Sequence, residues 1–79
     1  MYYVYVLKSI NDQKLYIGST SNLKNRYLEH NNGKVKSTKN RLPLQMLFYE
    51  AYNSKRIATK RERYLKTSDG HKDIYRRFK

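Results

Sequence analysis

The sequence of 79 residues has no cysteine and no tryptophan, a single proline and three glycines. The absence of cysteine excludes disulfides, thiolate-bound zinc and thiol catalysis. It fits a reducing compartment, and a cytoplasmic location is expected. No apolar run approaches the roughly 18 residues needed to span a bilayer. The opening Met1-Tyr2-Tyr3-Val4-Tyr5 lacks the charged segment and long apolar stretch of a signal peptide, so no membrane association is expected. Acidic residues are also scarce: six Asp and Glu stand against 18 Lys and Arg, for a net charge of +12. That excess points to an anionic partner, nucleic acid ahead of an acidic membrane. The length admits one domain, residues 1–79, with one modest core and no large internal pocket.

A mean hydropathy of −1.03 with high net charge raises the question of disorder. Nine tyrosines and two phenylalanines answer it. Tyrosine carries a large apolar body and a polar tip, so one residue type can build both a core and a functional face.

Tyr2 to Leu7 is an unbroken aromatic and β-branched run, which predicts a strand. Asn11-Asp12-Gln13-Lys14 is a turn, and Leu15-Tyr16-Ile17 ending at Gly18 completes a hairpin. Ser19-Thr20-Ser21-Asn22 marks a helix start with Ser21 as the expected N-cap. That helix is expected over Asn22 to His30, stopping at Asn31-Asn32-Gly33. Residues 33–43 are polar and basic, hence an exposed loop. Leu44 to Tyr52 is the most apolar stretch and reads as a third strand through the core. Asn53 or Ser54 caps a second helix reaching about Lys66. Asp69-Gly70 breaks the chain, and His71 to Phe78 forms a short last helix. The expected class is α+β: a three-stranded antiparallel sheet flanked by helices, in the order β-β-α-β-α-α. Lys and Arg number two in residues 1–20, six in 21–43, none in 44–53 and ten in 54–79. The basic surface therefore lies on the helices and the loop.

Three constellations carry chemistry. On the first helix, at about 100° per residue, Tyr27, Arg26 and His30 fall within about 60° of the inward-facing Leu23. In one reading Arg26 snorkels and His30 is a satisfied boundary residue. In the other, Arg26 holds a phosphate and His30 moves or orients a proton. On the second helix, Ile57, Arg61, Tyr64 and Leu65 form the expected stripe, with Ala58 beside it and Glu62 at its edge. Glu62 reads either as an i,i+4 partner of Lys66 or as the carboxylate of a divalent metal site. In the hairpin, an odd-sum register puts Tyr5 and Tyr16 on one face of the sheet. Paired tyrosines there are equally ordinary strand formers. Gly18 permits a close backbone approach or simply ends the strand.

Together these residues resemble the GIY-YIG nuclease superfamily. Tyr3-Val4-Tyr5, ten intervening residues, then Tyr16-Ile17-Gly18 is similar to its two-part signature, with a tyrosine where the first half has glycine. Arg26-x-x-x-His30 resembles its Arg…His pair, and Ala58-x-x-Arg61-Glu62-x-x-Leu65-Lys66 its glutamate helix. The likeness runs from Tyr2 to about Lys66 and is closest to small stand-alone bacterial members. Many members carry an asparagine after the glutamate, whereas none follows Asn53 here.

The resemblance implies a metal-dependent endonuclease cutting phosphodiester bonds, with DNA preferred over RNA. It implies catalytic roles for Tyr5 as base, Tyr16 on nucleophile or phosphate, Arg26 on the developing charge, and His30. Glu62 would hold one weakly bound Mg²⁺ or Mn²⁺. Ser37, Thr38, Lys39 and Arg41 in the loop read as phosphate contacts or as solvated surface. Lys60, Arg61 and Lys66 on the second helix read as nucleic-acid contacts. The five catalytic side chains are expected on one concave face. The alternative is a nucleic-acid-binding module with the same fold and little or no activity.

Overall fold

A computed structural model describes residues 1–77. The order is β1 (Tyr2–Ser9), β2 (Leu15–Thr20), α1 (Leu23–Asn31), β3 (Leu44–Tyr52), α2 (Lys55–Leu65) and α3 (Ser68–Arg77), the α+β order expected. The sheet is antiparallel with strand order β2-β1-β3.

The central strand is β1, not β3. Val4, Tyr5, Val6 and Leu7 are all buried, as a strand covered on both faces must be. β3 lies at an edge, so its apolar run is only partly covered. A bulge opposite Val6 and Leu7 leaves Leu47 unpaired, and both Leu47 and Phe48 then pack on the same core cluster.

The alternation of β1 divides the core in two. Val4 and Val6 point to one face, where they meet Ile17, Ala58, Leu65 and Ile74 under α2 and α3. Tyr5 and Leu7 point to the other, where they meet Leu44, Tyr16, Leu23 and Tyr27 under α1. α1 is pinned to the start of β3 by polar bonds. The Asn31 side chain exchanges two hydrogen bonds with the backbone of Leu44, at 2.8 and 3.0 Å, and the Tyr27 hydroxyl donates to the same carbonyl.

Several local expectations shift. Asn22 rather than Ser21 caps α1, its side chain accepting from the Asn25 amide. Both residue types cap well, and the helix begins one residue later. Ser54 caps α2 as expected. The α2 stripe is centred on Ala58 and Leu65, while Ile57 and Tyr64 are substantially exposed. Asp69-Gly70 does not break the chain: α3 begins at Ser68, and Gly70 lies inside it. A Cβ at Gly70 would sit 2.0 Å from the Tyr64 carbonyl oxygen and 2.5 Å from Leu65 Cα. Gly70 is therefore the point where α3 packs against the end of α2. The expected extension of the last helix to Phe78 falls outside the described residues.

Candidate active site

The register of β1 and β2 pairs Tyr5 with Gly18 and Leu7 with Tyr16. Tyr5 and Tyr16 thus share a face as diagonal neighbours, with ring centroids 6.5 Å apart. Gly18 serves a close approach. A Cβ there would fall 2.4 Å from the Tyr5 hydroxyl oxygen, so the phenol lies across the bare backbone of Gly18. From α1, His30 reaches under both tyrosines, with ring centroids 5.6 Å from Tyr5 and 5.0 Å from Tyr16, both edge-to-face. The Tyr16 hydroxyl has no hydrogen-bond partner among the described residues.

His30 is fully buried, and both ring nitrogens are engaged. Nε2 lies 2.9 Å from the Tyr5 hydroxyl and Nδ1 lies 2.8 Å from the Thr38 hydroxyl. The Thr38 hydroxyl in turn faces the Val35 carbonyl at 3.5 Å. That carbonyl can only accept. In the tautomer with hydrogen on Nδ1, that nitrogen donates to Thr38, whose hydroxyl is turned to Val35, and Nε2 accepts from Tyr5; the other tautomer reverses both bonds.

Thr38 does not fit the phosphate contact expected of it. It is fully buried, and the loop folds back to place it beneath His30. A threonine eight residues after a helical histidine gives no periodic sign of this pairing, because the loop between them sets it.

Burial drives the His30 pKa down to about 4, helped by the Arg26 charge and opposed by Glu29. The imidazole is therefore neutral at pH 7. Burial also raises the Tyr5 pKa, and the effect exceeds the lowering by Arg26, while Tyr16 and Glu62 push the same way as burial. The fold thus does not prepare a tyrosinate: it holds a neutral phenol against a neutral imidazole. Arg26 donates to Glu29 at 3.1 Å, and its charge also bears on the Tyr5 oxygen.

A pH dependence of stability follows. The folded state holds His30 at about 4 against an ordinary value of 6.5, so the unfolded chain binds more protons between these values. The His30 contribution is complete above pH 6.5 and is lost as pH falls toward 4. Its full size is on the order of 3 kcal/mol. Denaturant unfolding at pH 7.5 and pH 4.5 is expected to show this loss, and His30→Gln to flatten it.

Glu62 arrives from the opposite side of the sheet, on α2. It lies on the inward side of the helix with Ala58 and Leu65, and its Oε1 accepts from the Ser19 hydroxyl at 2.5 Å. Ser19 adjoins Gly18, over which Tyr5 lies. The five side chains therefore do not share one concave face, contrary to the expectation, because Glu62 sits on the helix that packs on the other side of the sheet. Tyr5, Tyr16, Arg26 and His30 lie on the α1 side, and Glu62 lies on the α2 side at Ser19, near enough for its charge to act on Tyr5. Glu62 Oε2 also pairs with Lys66 at 2.8 Å, so the expected i,i+4 pair is present as well. Partial burial pushes the carboxyl pKa up, but Lys66 and Ser19 outweigh it and the group titrates below the usual range. Ser19, beside the Tyr16-Ile17-Gly18 motif, escaped sequence reasoning. Its cross-sheet contact to Glu62 depends on how α2 crosses the sheet.

Among the described residues no group of three or more His, Asp or Glu could hold a metal. Glu62 offers one ionised, partly exposed carboxylate. That donor fits a single hard cation whose remaining positions are filled by water and phosphate oxygens. Lys66, half-exposed at its side chain, can swing clear of Oε2.

The remaining expected contacts divide. Ser37, Lys39 and Lys60 are exposed. Arg41 is committed to Asp12 at 2.7 Å and to the carbonyls of Lys14 and Leu15, so it clamps the β1–β2 turn. Arg61 is committed to Glu50 at 2.8 Å. Neither guanidinium is free for a phosphate as it stands.

Residues 1–74 match the family model of the GIY-YIG catalytic domain, and the chain belongs to that family. The family is typically one of nucleases that act on nucleic acid with divalent metal ions. A UPF0213 protein of Clostridium perfringens is 45% identical over 67 residues, covering 84% of this chain and 71% of its own length. One from Staphylococcus epidermidis is 42% identical over 67 residues, covering 84% and 80%. The solution structure of a UPF0213 protein from Bacillus halodurans matches with a TM-score of 0.59 at 29% identity, over 95% of this chain and 83% of that one. No helix among the described residues is long and apolar enough to cross a membrane.

Proposed function

We propose that this chain is a metal-dependent endonuclease hydrolysing phosphodiester bonds in DNA, its 79 residues acting as one nuclease domain in the cytoplasm. The supporting observation is the hydrogen-bonded chain from the Tyr5 hydroxyl through His30 to Thr38, with Arg26 and Tyr16 on the same side of the sheet and the charge of Glu62 reaching Tyr5 from the other. A water attacks phosphorus as the bond to the leaving sugar oxygen breaks; the water gives its proton to the Tyr5 oxygen as the Tyr5 proton passes to His30 Nε2, and the leaving alkoxide takes a proton from solvent. Concerted transfer removes the need for a free tyrosinate, which the raised Tyr5 pKa disfavours. The resting His30 is a weak base partly because of the Arg26 charge. A phosphate bound at Arg26 offsets that charge, so substrate itself raises the basicity of His30. Arg26 then stabilises the charge that develops on the phosphoryl oxygens. The free Tyr16 hydroxyl donates to the phosphate or orients the water. Glu62 would hold a divalent ion, and the ion would supply positive charge to offset the charge developing on the leaving oxygen.

A second reading keeps the fold as a nucleic-acid-binding module. It draws on the engagement of both Glu62 oxygens by Ser19 and Lys66. Incubation of supercoiled plasmid and branched DNA with Mg²⁺ or Mn²⁺ separates the two. The proposal expects metal-dependent nicking that EDTA stops. Tight binding without nicking would favour the module.

A further inference from the structure

The chain has few acids, and most are engaged within the fold. Asp12, Glu29, Glu50, Glu62 and Asp73 pair with Arg41, Arg26, Arg61, Arg77, Lys66 and Arg76. The outer face of α2 is different. Lys55, Arg56, Lys60 and Arg63 are exposed and form no ion pair among the described residues, although the Arg63 charge is felt by Glu62. At about 100° per residue they fall within one arc of about 140°, with Thr59 between them and Glu62 turned inward. They line one shallow groove together. Arg56 and Lys60 stand at i,i+4, and Lys60 and Arg63 at i,i+3, where like charges repel and destabilise a helix. Glu62 feels the Arg63 charge, but it is turned toward Ser19 and paired with Lys66, so the repulsion along this face is left largely in place.

The groove does not end there. Lys55 and Thr59 also line a second groove with Tyr2, Ser19, Thr20 and Ser21. Ser19 is the residue that holds Glu62. One continuous surface thus runs from the candidate metal carboxylate, past the end of β2, onto four unpaired cations.

We infer that the outer face of α2 is a phosphate rail that carries nucleic-acid backbone away from the active site, an anchoring surface separate from the groups that do the chemistry. This rests on the endonuclease reading for its direction, but the rail itself is a binding surface. Acidic membrane is the less favoured partner, because the rail leads into the polar groove at Ser19.

The test is the salt dependence of binding to a duplex DNA of about 30 base pairs, without metal so that no cleavage intervenes, read by fluorescence anisotropy. Each phosphate contact contributes about 0.9 to the log–log slope. The double variant Lys60→Gln/Arg63→Gln is expected to lower the slope by about 2 and to weaken binding by roughly tenfold or more at 0.1 M salt. Removing like charges relieves repulsion, so the variant folds. Lys8→Gln/Lys14→Gln removes the same charge from the far end of the sheet and is expected to change binding much less. Equal losses from both pairs would reduce the effect to net charge and overturn the rail. So would unchanged DNA binding in the α2 variant, whether or not its binding to anionic phosphatidylglycerol vesicles is lost. If the parent protein never cleaves yet the α2 pair alone weakens binding, the endonuclease reading fails and the rail stands.

Discussion

Glu62→Gln is expected to reduce DNA cleavage by at least about a hundredfold while leaving DNA binding equal or tighter. The substitution keeps the shape of the side chain and its hydrogen bond with Ser19. It removes the charge that would hold a divalent cation. It also removes one of only six acids from a surface that meets phosphate, which can only help binding. The size of the loss follows from removing one charge-stabilising group at the reacting phosphate. Stability changes little, since a partly exposed pair such as Glu62–Lys66 contributes about 0–1 kcal/mol. If Glu62 were only a helix partner of Lys66, cleavage would be unaffected. Titration of Mg²⁺ in the nicking assay, parent against variant, checks this.

Gly18→Ala is expected to have a comparable effect by a different route. The new Cβ would lie 2.4 Å from the Tyr5 hydroxyl oxygen and 2.6 Å from its Cζ. Tyr5 is 2% exposed and hemmed in by His30 and Tyr16, so the ring can move only by breaking its bond with His30 Nε2. Overpacking of this kind destabilises by about 1–3 kcal/mol. Displacing a reacting group by about 1 Å reduces turnover by about a hundredfold. Cleavage should therefore fall far more than stability explains. Denaturant unfolding alongside nicking rates checks this, and a variant with parent-like rates would show that Tyr5 is not held in place by Gly18.

The residue types of this site were readable from the sequence because each is tied to a short pattern. The aromatic alternation of β1 and the Tyr16-Ile17-Gly18 turn define which tyrosines share a face. The i,i+4 spacing puts Arg26 and His30 on one side of α1. β3 could be bounded at Leu44 and Tyr52 from its apolar run alone. What local pattern cannot carry is contact across layers. Thr38 sits in a polar loop and so reads as surface, yet the loop returns it to a buried histidine. Ser19 meets Glu62 only because α2 packs across that face of the sheet. Gly70 reads as a helix breaker from propensity, but its lack of a side chain is used for helix packing. Ile57 drew the α2 stripe outward, since an apolar residue counts as inward in any periodic pattern even when it is half-exposed.

In the proposed mechanism the Tyr5 hydroxyl is the proton relay between the attacking water and His30. Tyr5→Phe tests it most directly, because the ring still fills the space over Gly18 and only the hydroxyl is lost. Single-turnover nicking of plasmid DNA at saturating Mg²⁺ should be readily measured for the parent and lower by about a hundredfold or more for Tyr5→Phe, the scale of one general acid–base group, with DNA binding unchanged. Nicking by Tyr5→Phe at the parent rate would contradict the account.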